Sequence, residues 1–342
     1  MDKRVTIIDV ARHAQVSTTA VSKVLRNAYG ASPAMRAKVQ QAIAELGYRP
    51  NAAARGLRGQ TYTIGVMIPE LRNLFFADII DGITAQLGGT DYQVLIAPGC
   101  NGEKEEARVI DAMTDRSMDG LILIAPVSSK KRLTEVARAT PTVVVGRHGS
   151  SPTYDSVTDD DVVGAALVVD HLADLGHRRI AHIEHHETDR VRLAEMPNAQ
   201  RANGYREAMT RRGLSEFIDI ASTSYTHEGG YVGAKQLLTR AERPTAVFAG
   251  ADVVALGALE AIAEAGLSVP GDISVAGYDN SALASFGPIS LTSVDQDGRQ
   301  MGADAARLVI GRITDRERRT VQVKLSPTLA VRRTTARAAP HT

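Results

Sequence analysis

Within ten residues near the amino terminus stand Ser17, Thr18, Thr19, Ser22, Lys23 and Arg26. The hydroxyls can exchange hydrogen bonds with base edges, and the cations, with Arg36 further on, can hold phosphates on either side. Residues 1–60 carry ten Lys or Arg against Asp2, Asp9 and Glu45, a net charge of +7, while the remainder holds thirty basic and thirty-six acidic residues, so the whole-chain +1 conceals a cationic head on an anionic body. Such a head seeks a polyanion. A second set of groups lies far along the chain. Arg147, Asp252 and Asp279 each come just after a short β-branched or apolar run, at 143–145, 247–249 and 273–278. In a parallel α/β sheet the carboxyl ends of strands face the ligand. There a carboxylate accepts from two hydroxyls and a guanidinium donates to several groups.

Other groupings carry no chemistry. His182, His185 and His186 fall within five residues, but they straddle an expected strand end, where alternation sends the side chains apart, so no metal is expected. Gly99 and the Gly229-Gly230 pair lack phosphate-loop spacing, and no Ser/His/Asp order or paired acid makes a catalytic set. The expectation is a protein that is no enzyme and holds no cofactor. Cys100, the single cysteine, rules out an intramolecular disulfide or a Cys-rich zinc module and suits a reducing compartment. Without an 18-residue apolar run or an apolar leader, the chain is expected to be soluble and cytoplasmic, with no membrane partner.

Among the elements that must support these residues, Ile7, Val10, Ala11 and Ala14 recur at helical spacing behind a capping Thr6. Ser17 can cap a second helix that buries Val21, Val24 and Leu25. Ser32-Pro33 opens a third, which runs through Val39, Ile43 and Leu46 to Gly47. Residues 51–58 favour helix but are too few to hold one alone. Beyond them, β-branched runs at 63–68, 92–97, 120–125, 142–145, 180–183, 246–249 and 273–276 alternate with amphipathic segments, implying βαβ units and two parallel sheets. The fold class is therefore an all-α helix-turn-helix headpiece joined to an α/β body of two lobes. Its boundaries are expected at 1–50 for the headpiece, 51–61 for a hinge and linker, and 62–332 for the body. Within the body, lobe 1 takes 62–161 and 293–325 and lobe 2 takes 162–292, with 333–342 left as a tail.

Val5-Thr6-Ile7-Ile8-Asp9-Val10-Ala11, Val16-Ser17, Val21-Ser22-Lys23-Val24-Leu25, Ser32-Pro33, Glu45-Leu46-Gly47-Tyr48-Arg49-Pro50-Asn51 and Ala54-Arg55-Gly56-Leu57 resemble, without gaps, the headpiece and hinge of the lac repressor family of bacterial transcription regulators. The likeness continues to about Arg332 through stretches such as Asn73-Leu74-Phe75-Phe76, His177-Arg178-Arg179-Ile180-Ala181, Val269-Pro270-Gly271-Asp272-Ile273 and Gly277-Tyr278-Asp279-Asn280. It implies an effector domain similar to periplasmic sugar-binding proteins of type I. It also implies that the second helix enters the major groove, that Thr6, Ser17, Thr18, Thr19, Ser22, Lys23, Arg26, Ser32, Arg36 and Tyr48 serve DNA binding, and that Asn51, Ala54 and Leu57 belong to a hinge helix. Leu57 would wedge the minor groove open. Met35 stands where relatives often have a hydroxyl residue.

For the body, the resemblance implies Arg201 and Asp279 as polar clamps on an effector, Phe75, Phe76 and Tyr225 as walls, and Asp160 and Gln296 as lesser contacts. Two departures stand out. Gly146-Arg147 replaces a common Asp-Arg, and Ala251-Asp252 replaces a common Asn-Asp, so two sugar-hydroxyl partners are missing and a nucleoside or modified sugar becomes as suitable as a simple hexose. The functional expectation is a homodimeric repressor of a palindromic operator on double-stranded DNA, controlled by a sugar- or nucleoside-type effector through the hinge. A corepressor-dependent repressor has the same architecture. A carbohydrate-binding protein or sugar-modifying enzyme with an unrelated helical appendage is the reading from another class. The last ten residues lack heptad leucines, which favours dimer over tetramer.

Overall fold

The computed structural model describes residues 5–25, 29–48, 60–99, 102–186 and 194–339. Arg26, Asn51, Ala54 and Leu57, and the expected hinge helix with them, lie outside the described residues. The chain divides into two compact units, Met1–Thr61 and Tyr62–Thr342.

The first unit holds helices α1 (Ile7–His13), α2 (Thr18–Leu25) and α3 (Pro33–Leu46). Val10, Ala11, Val21, Val24, Val39 and Ala42 form its core. Leu25, expected on the buried face, is 37% exposed at the last position of the two-turn α2. The α1–α2 turn is made by Gln15 at φ 54°, after which the Val16 amide donates to the Ala11 carbonyl. The caps are local. Ser32 accepts from the Met35 amide while Pro33 occupies the first helical position, and Gly47, left-handed at φ 60°, ends α3. Across the bundle the His13 ring meets Glu45 at 2.6 Å.

The second unit is built on two six-stranded sheets. Lobe 1 contains β1 (Thr63–Ile68), α4 (Phe75–Leu87), β2 (Gln93–Pro98), α5 (Glu103–Asp115), β3 (Gly120–Ile124), α6 (Lys130–Ala139), β4 (Thr142–Val145) and β5 (Asp155–Asp159). Lobe 2 contains α7 (Asp161–Asp174), β6 (Ile180–His185), α8 (Pro197–Arg211), β7 (Asp219–Thr223), α9 (His227–Leu238), β8 (Ala246–Ala249), α10 (Asp252–Glu264), β9 (Ser274–Tyr278) and β10 (Thr292–Asp295). The chain then supplies α11 (Gly298–Thr314), β11 (Gln322–Leu325) and β12 (Thr328–Ala330). The first sheet runs β11-β5-β4-β3-β1-β2 and the second β12-β10-β9-β8-β6-β7. Every pairing is parallel except β10 with β12. The inner strands of each sheet are buried on both faces, as the near-continuous apolar runs demand.

The lobe boundaries differ from expectation in two places. β10 pairs with β9, so the return to lobe 1 falls at residues 296–297 rather than before 293. α11 packs on lobe 1, and β11 completes that sheet beside β5. A third crossing then follows, because β12 joins β10. The expected tail is, as far as Ala339, part of lobe 2: the Val275 amide donates to the Thr334 carbonyl and the Ala338 amide to the Leu175 carbonyl. Strands of three or four residues beside a crossing leave no periodicity to read.

β5 was also illegible. Its sequence, Asp-Ser-Val-Thr-Asp, looks polar, yet all five residues are buried. Asp155 is neutralised by Arg312 at 2.8 Å and Arg318 at 2.5 Å, and Asp159 accepts from the Tyr278 hydroxyl at 2.6 Å. Distant side chains make this segment a central strand.

Candidate recognition helix and interlobe cleft

At the start of α2 the exposed Ser17, Thr18 and Thr19 stand together, with Lys23 exposed one turn on and Ser22 half-buried. The Ser17 oxygen accepts from the Ala20 amide at 3.1 Å and the Ser32 oxygen from the Met35 amide at 3.2 Å. Both hydroxyl protons stay available for a phosphate. Thr6 differs: its amide and its hydroxyl both donate to Asp9, at 2.9 and 2.6 Å, so a phosphate must compete with that carboxylate. Arg36 is half-buried and donates through Nε to the Ala31 carbonyl at 3.4 Å. Tyr48 packs on the bundle core. The unit thus offers small hydroxyl residues at one helix end with cationic groups nearby, a shape suited to a major groove.

In the second unit a cavity of about 310 Å³ opens between the lobes. Phe75, Phe76, Arg201, Tyr225, Asp279 and Gln296 line it. Phe75 and Phe76 are the first two residues of α4, held by Asn73, whose side-chain Oδ1 accepts from the Phe75 amide at 3.0 Å. Arg201, on α8 and only 5% exposed, donates through Nε to Asp161 at 2.6 Å, through Nη1 to the Gly250 carbonyl at 2.8 Å and through Nη2 to Gln296 at 3.5 Å. Its guanidinium lies 3.8 Å from the centre of the Tyr278 ring and 3.6 Å from Asp279. Asp279 accepts from the Gln296 amide at 2.7 Å and, across the cleft, from Asn73 at 3.3 Å. A second bridge between lobes joins the His148 ring to Asp161 at 2.6 Å.

The electrostatics follow from burial. Burial pushes the Asp279 carboxyl up, to about 8, against the pull of Arg201. Burial and then the Asp161 charge push Asp159 to about 7. For Asp161 burial works in the same direction, yet Arg201 and His148 together hold its carboxyl below the ordinary range. Three carboxylates therefore share one buried guanidinium. Asp279 and Asn280 also hold φ of 111° and 47°, left-handed backbone that L residues adopt at a cost of about 1–3 kcal/mol each. At the end of β9 the Gln296 and Asn73 side chains hold the Asp279 carboxyl toward the cleft.

Three expected contacts are not in the cavity wall, and each is a correction. Arg147 turns away to donate through Nη1 to the carbonyls of Pro126 and Ser128, at 3.1 and 2.5 Å, and pairs with Glu195. Asp160 caps α7, accepting from the Val163 amide at 3.3 Å, and pairs with Lys324 at 2.5 Å. Asp252 is buried beneath the wall, where it accepts from the Ser281 amide and hydroxyl and the Ser293 hydroxyl. Burial lifts its carboxyl to about 6. The physical reason is shared by the two aspartates: the carboxyl end of a strand is also the start of the next helix, and a carboxylate there can serve local backbone and hydroxyl donors as readily as a ligand. Conversely, sequence reasoning missed Asn73, His148 and Asp161. Asn73 was legible only as the residue before a Phe-Phe pair, and no local pattern marks the other two.

The imidazole-rich segment diverges as alternation implies. His182 stacks on Phe248 at 4.5 Å, His185 meets Tyr225 edge-on, and Glu184 pairs with Arg206 at 2.9 Å. Among the described residues there is no group of three metal-ligating side chains.

Comparison with known proteins decides the family. Residues 6–51 match the model for bacterial regulatory proteins of the lacI family, and residues 169–335 match that for a periplasmic binding protein-like domain. The ribose operon repressor of Escherichia coli (strain K12) is 34% identical over 96% of this chain and 98% of its own length. The chain belongs to the LacI family of transcription regulators. Catabolite control protein A of Priestia megaterium is 35% identical over 89% of this chain and 91% of its own length. The lac repressor dimer bound to operator and the anti-inducer ONPF superposes with a TM-score of 0.83 at 28% identity, covering 98% of this chain and 100% of that one. This LacI-family chain is accordingly a DNA-binding repressor with an effector domain and not an enzyme, and α1 to α3 are its helix-turn-helix region. Among the described residues no helix is long and apolar enough to cross a membrane.

Proposed function

We propose that the protein is a cytoplasmic homodimer that represses transcription from a palindromic operator and is switched by a sugar- or nucleoside-type effector in the interlobe cleft. The observation that carries this reading is the network at the cavity. Asp279 is shared between Gln296, Arg201 and, from the opposite lobe, Asn73, so a ligand that engages Asp279 changes a bond between lobes. Only such differential contact shifts a conformational equilibrium. An effector that prefers the arrangement in which the two hinge segments part releases the operator, and the opposite preference makes it a corepressor. Thr18 and Thr19 read base edges, Ser17, Ser22, Lys23, Arg26, Ser32 and Arg36 hold the backbone, and Leu57 in the hinge wedges the minor groove. The likeness to a repressor crystallised as a dimer on its operator supports the assembly. So does β2, an edge strand whose Leu95 and Ile96 are 49% and 45% exposed; a bare apolar edge favours a partner over solvent.

The test is a gel shift on promoter fragments with the full-length protein and a form lacking residues 1–61. Full-length protein should prefer one fragment over random duplex, lose affinity steeply with added salt, and respond to a cleft ligand. Equal binding to random duplex at every ligand concentration refutes the reading.

A further inference from the structure

A loop of lobe 1 reaches across to lobe 2. After β4 the chain turns at Gly146, φ 70°, and at Gly149, φ 98°, left-handed positions that suit glycine, and the two residues between them serve different lobes. Arg147, 5% exposed, donates to the carbonyls of Pro126 and Ser128 after β3 and so pins the loop to lobe 1. His148 faces lobe 2. Its amide donates to the Glu195 carbonyl at 2.8 Å, and its Nε2 meets the Asp161 carboxylate at 2.6 Å.

Both lobes converge on Asp161. It is fully buried at the start of α7, directly after the chain has crossed from β5. One of its oxygens accepts from Arg201 Nε at 2.6 Å while the other meets the His148 ring. Asp160, beside it, is turned instead to Lys324 of β11. Among the described residues, the charged groups facing the imidazole are thus Asp161 and Glu195 of lobe 2 and Arg147 of its own loop, with Arg201 and Asp159 behind Asp161. Histidine is the side chain that changes charge between pH 5 and 8. A neutral ring gives Asp161 an ordinary hydrogen bond; an imidazolium gives it the same N–H with a full charge, and such bonds are about twice as strong. Only the arrangement in which the lobes meet at this loop gains from that difference, so a falling pH favours it.

We propose that residues 146–149 form a latch between the lobes and that His148 is its proton-sensitive positioning residue, holding Asp161, and through it Arg201 of the cavity wall, more firmly when protonated. This rests on the reading of the two lobes as the moving parts of the switch and makes the set point of that switch depend on pH.

Hydrogen exchange of the full-length protein, with neither ligand nor DNA, tests the latch. Because the His148 amide is bonded across the lobes, a peptide covering residues 146–150 reports whether they meet. With the intrinsic rate at each pH divided out, its protection in wild type should fall about fivefold between pH 6 and pH 8. His148→Gln, which still donates to Asp161 but without a charge, should show no such fall, and His148→Asn replaces it if the glutamine variant does not fold. Asp159, which burial lifts to about 7, titrates in the same range, so the comparison of wild type with variant isolates the imidazole. A flat wild-type profile, or a fall that the variant retains, overturns the proposal. Operator affinity over the same pH range, taken as the ratio of wild type to variant so that protons bound elsewhere in the chain cancel, should change by a similar factor. A ratio that stays constant beside a pH-dependent latch overturns its part in the switch. Protein that prefers no DNA fragment refutes the functional reading instead, and the exchange experiment still decides the latch.

Discussion

Arg201→Met asks whether the cleft is held by one guanidinium. The side chain is 5% exposed, and its removal takes the Arg201 donor from the Gly250 carbonyl and the Gln296 side-chain oxygen. It also takes the cation from Asp161, which keeps His148, and from Asp279, which keeps Gln296 and Asn73. Methionine fills most of the volume, so the loss is electrostatic rather than a cavity. Breaking a buried pair by deleting one partner costs about 3–5 kcal/mol. In a domain of this size each kcal/mol is worth about 2 °C in melting temperature, so unfolding should move down by about 6–10 °C. His148 still faces Asp161 at 2.6 Å, which places the effect toward the lower end. The Asp161→Asn change alone removes the same ion pair from the other side. If the two residues form one unit, the double variant should be more stable than the sum of the single losses implies, by about 1–3 kcal/mol. Differential scanning calorimetry on wild type, both single variants and the double variant completes the cycle. A single Arg201→Met variant that melts within about 2 °C of wild type, or strictly additive losses, refutes the view that one guanidinium holds the cleft network together.

The remaining expectations are shorter. Burial holds Asp159 up to about 7 and Asp279 up to about 8, so the folded state keeps protons that the unfolded chain has released, and stability rises as pH falls through that range. Burial holds His182 down to about 4, so below pH of about 6.5 the unfolded chain takes a proton the folded one refuses. Two retained carboxyl protons outweigh the one imidazole proton refused, so the melting temperature should climb as pH falls from about 8 to about 4; a monotonic rise to pH 9 would show that Arg201 keeps both carboxylates ionised. Lys23→Ala should weaken operator and random duplex alike and flatten the salt dependence by about one unit of slope per protomer, about two for the dimer, as read by fluorescence anisotropy; a loss confined to one sequence would make Lys23 a base reader. Ser32→Ala should cost the first unit about 1 kcal/mol through the cap on α3, measurable by thermal unfolding. Leu95→Asp, on the edge strand β2, should convert dimer to monomer in sedimentation and abolish operator binding; an unaltered dimer would place the interface elsewhere.

What could be read from the chain and what could not divides along the distance between interacting residues. The first unit was legible because its signals are local: Ser32-Pro33 begins α3 and Gly47 ends it, and three apolar stripes meet in one core. Strands such as Thr142–Val145 and Ala246–Ala249 were legible because burial on both faces leaves a β-branched run. β5 was not, since Asp155 is buried only through Arg312 and Arg318, more than 150 residues away. Within the cleft, Arg201 and Asp279 came from the family pattern, and the turn away from the cavity by Arg147 depends on carbonyls at Pro126 and Ser128 that no spacing rule selects.

That same separation bears on how a signal leaves the cleft. Asn73 lies just before α4 and His148 just after β4, both in lobe 1, while their partners Asp279 and Asp161 are in lobe 2. Gln296, which holds Asp279 at 2.7 Å, is itself one of the crossing residues between β10 and α11. On the proposed function, a ligand hydroxyl that engages Asp279 would compete with Asn73 and load a crossing segment in the same event. Because α11 packs into the core of lobe 1 beside Ile79 and Ile83 of α4, any shift at Gln296 is carried by a helix that cannot move without its neighbour. The coupling needs no pathway of individual side chains across either lobe, only two lobes that each move as a body and a ligand that favours one of their arrangements.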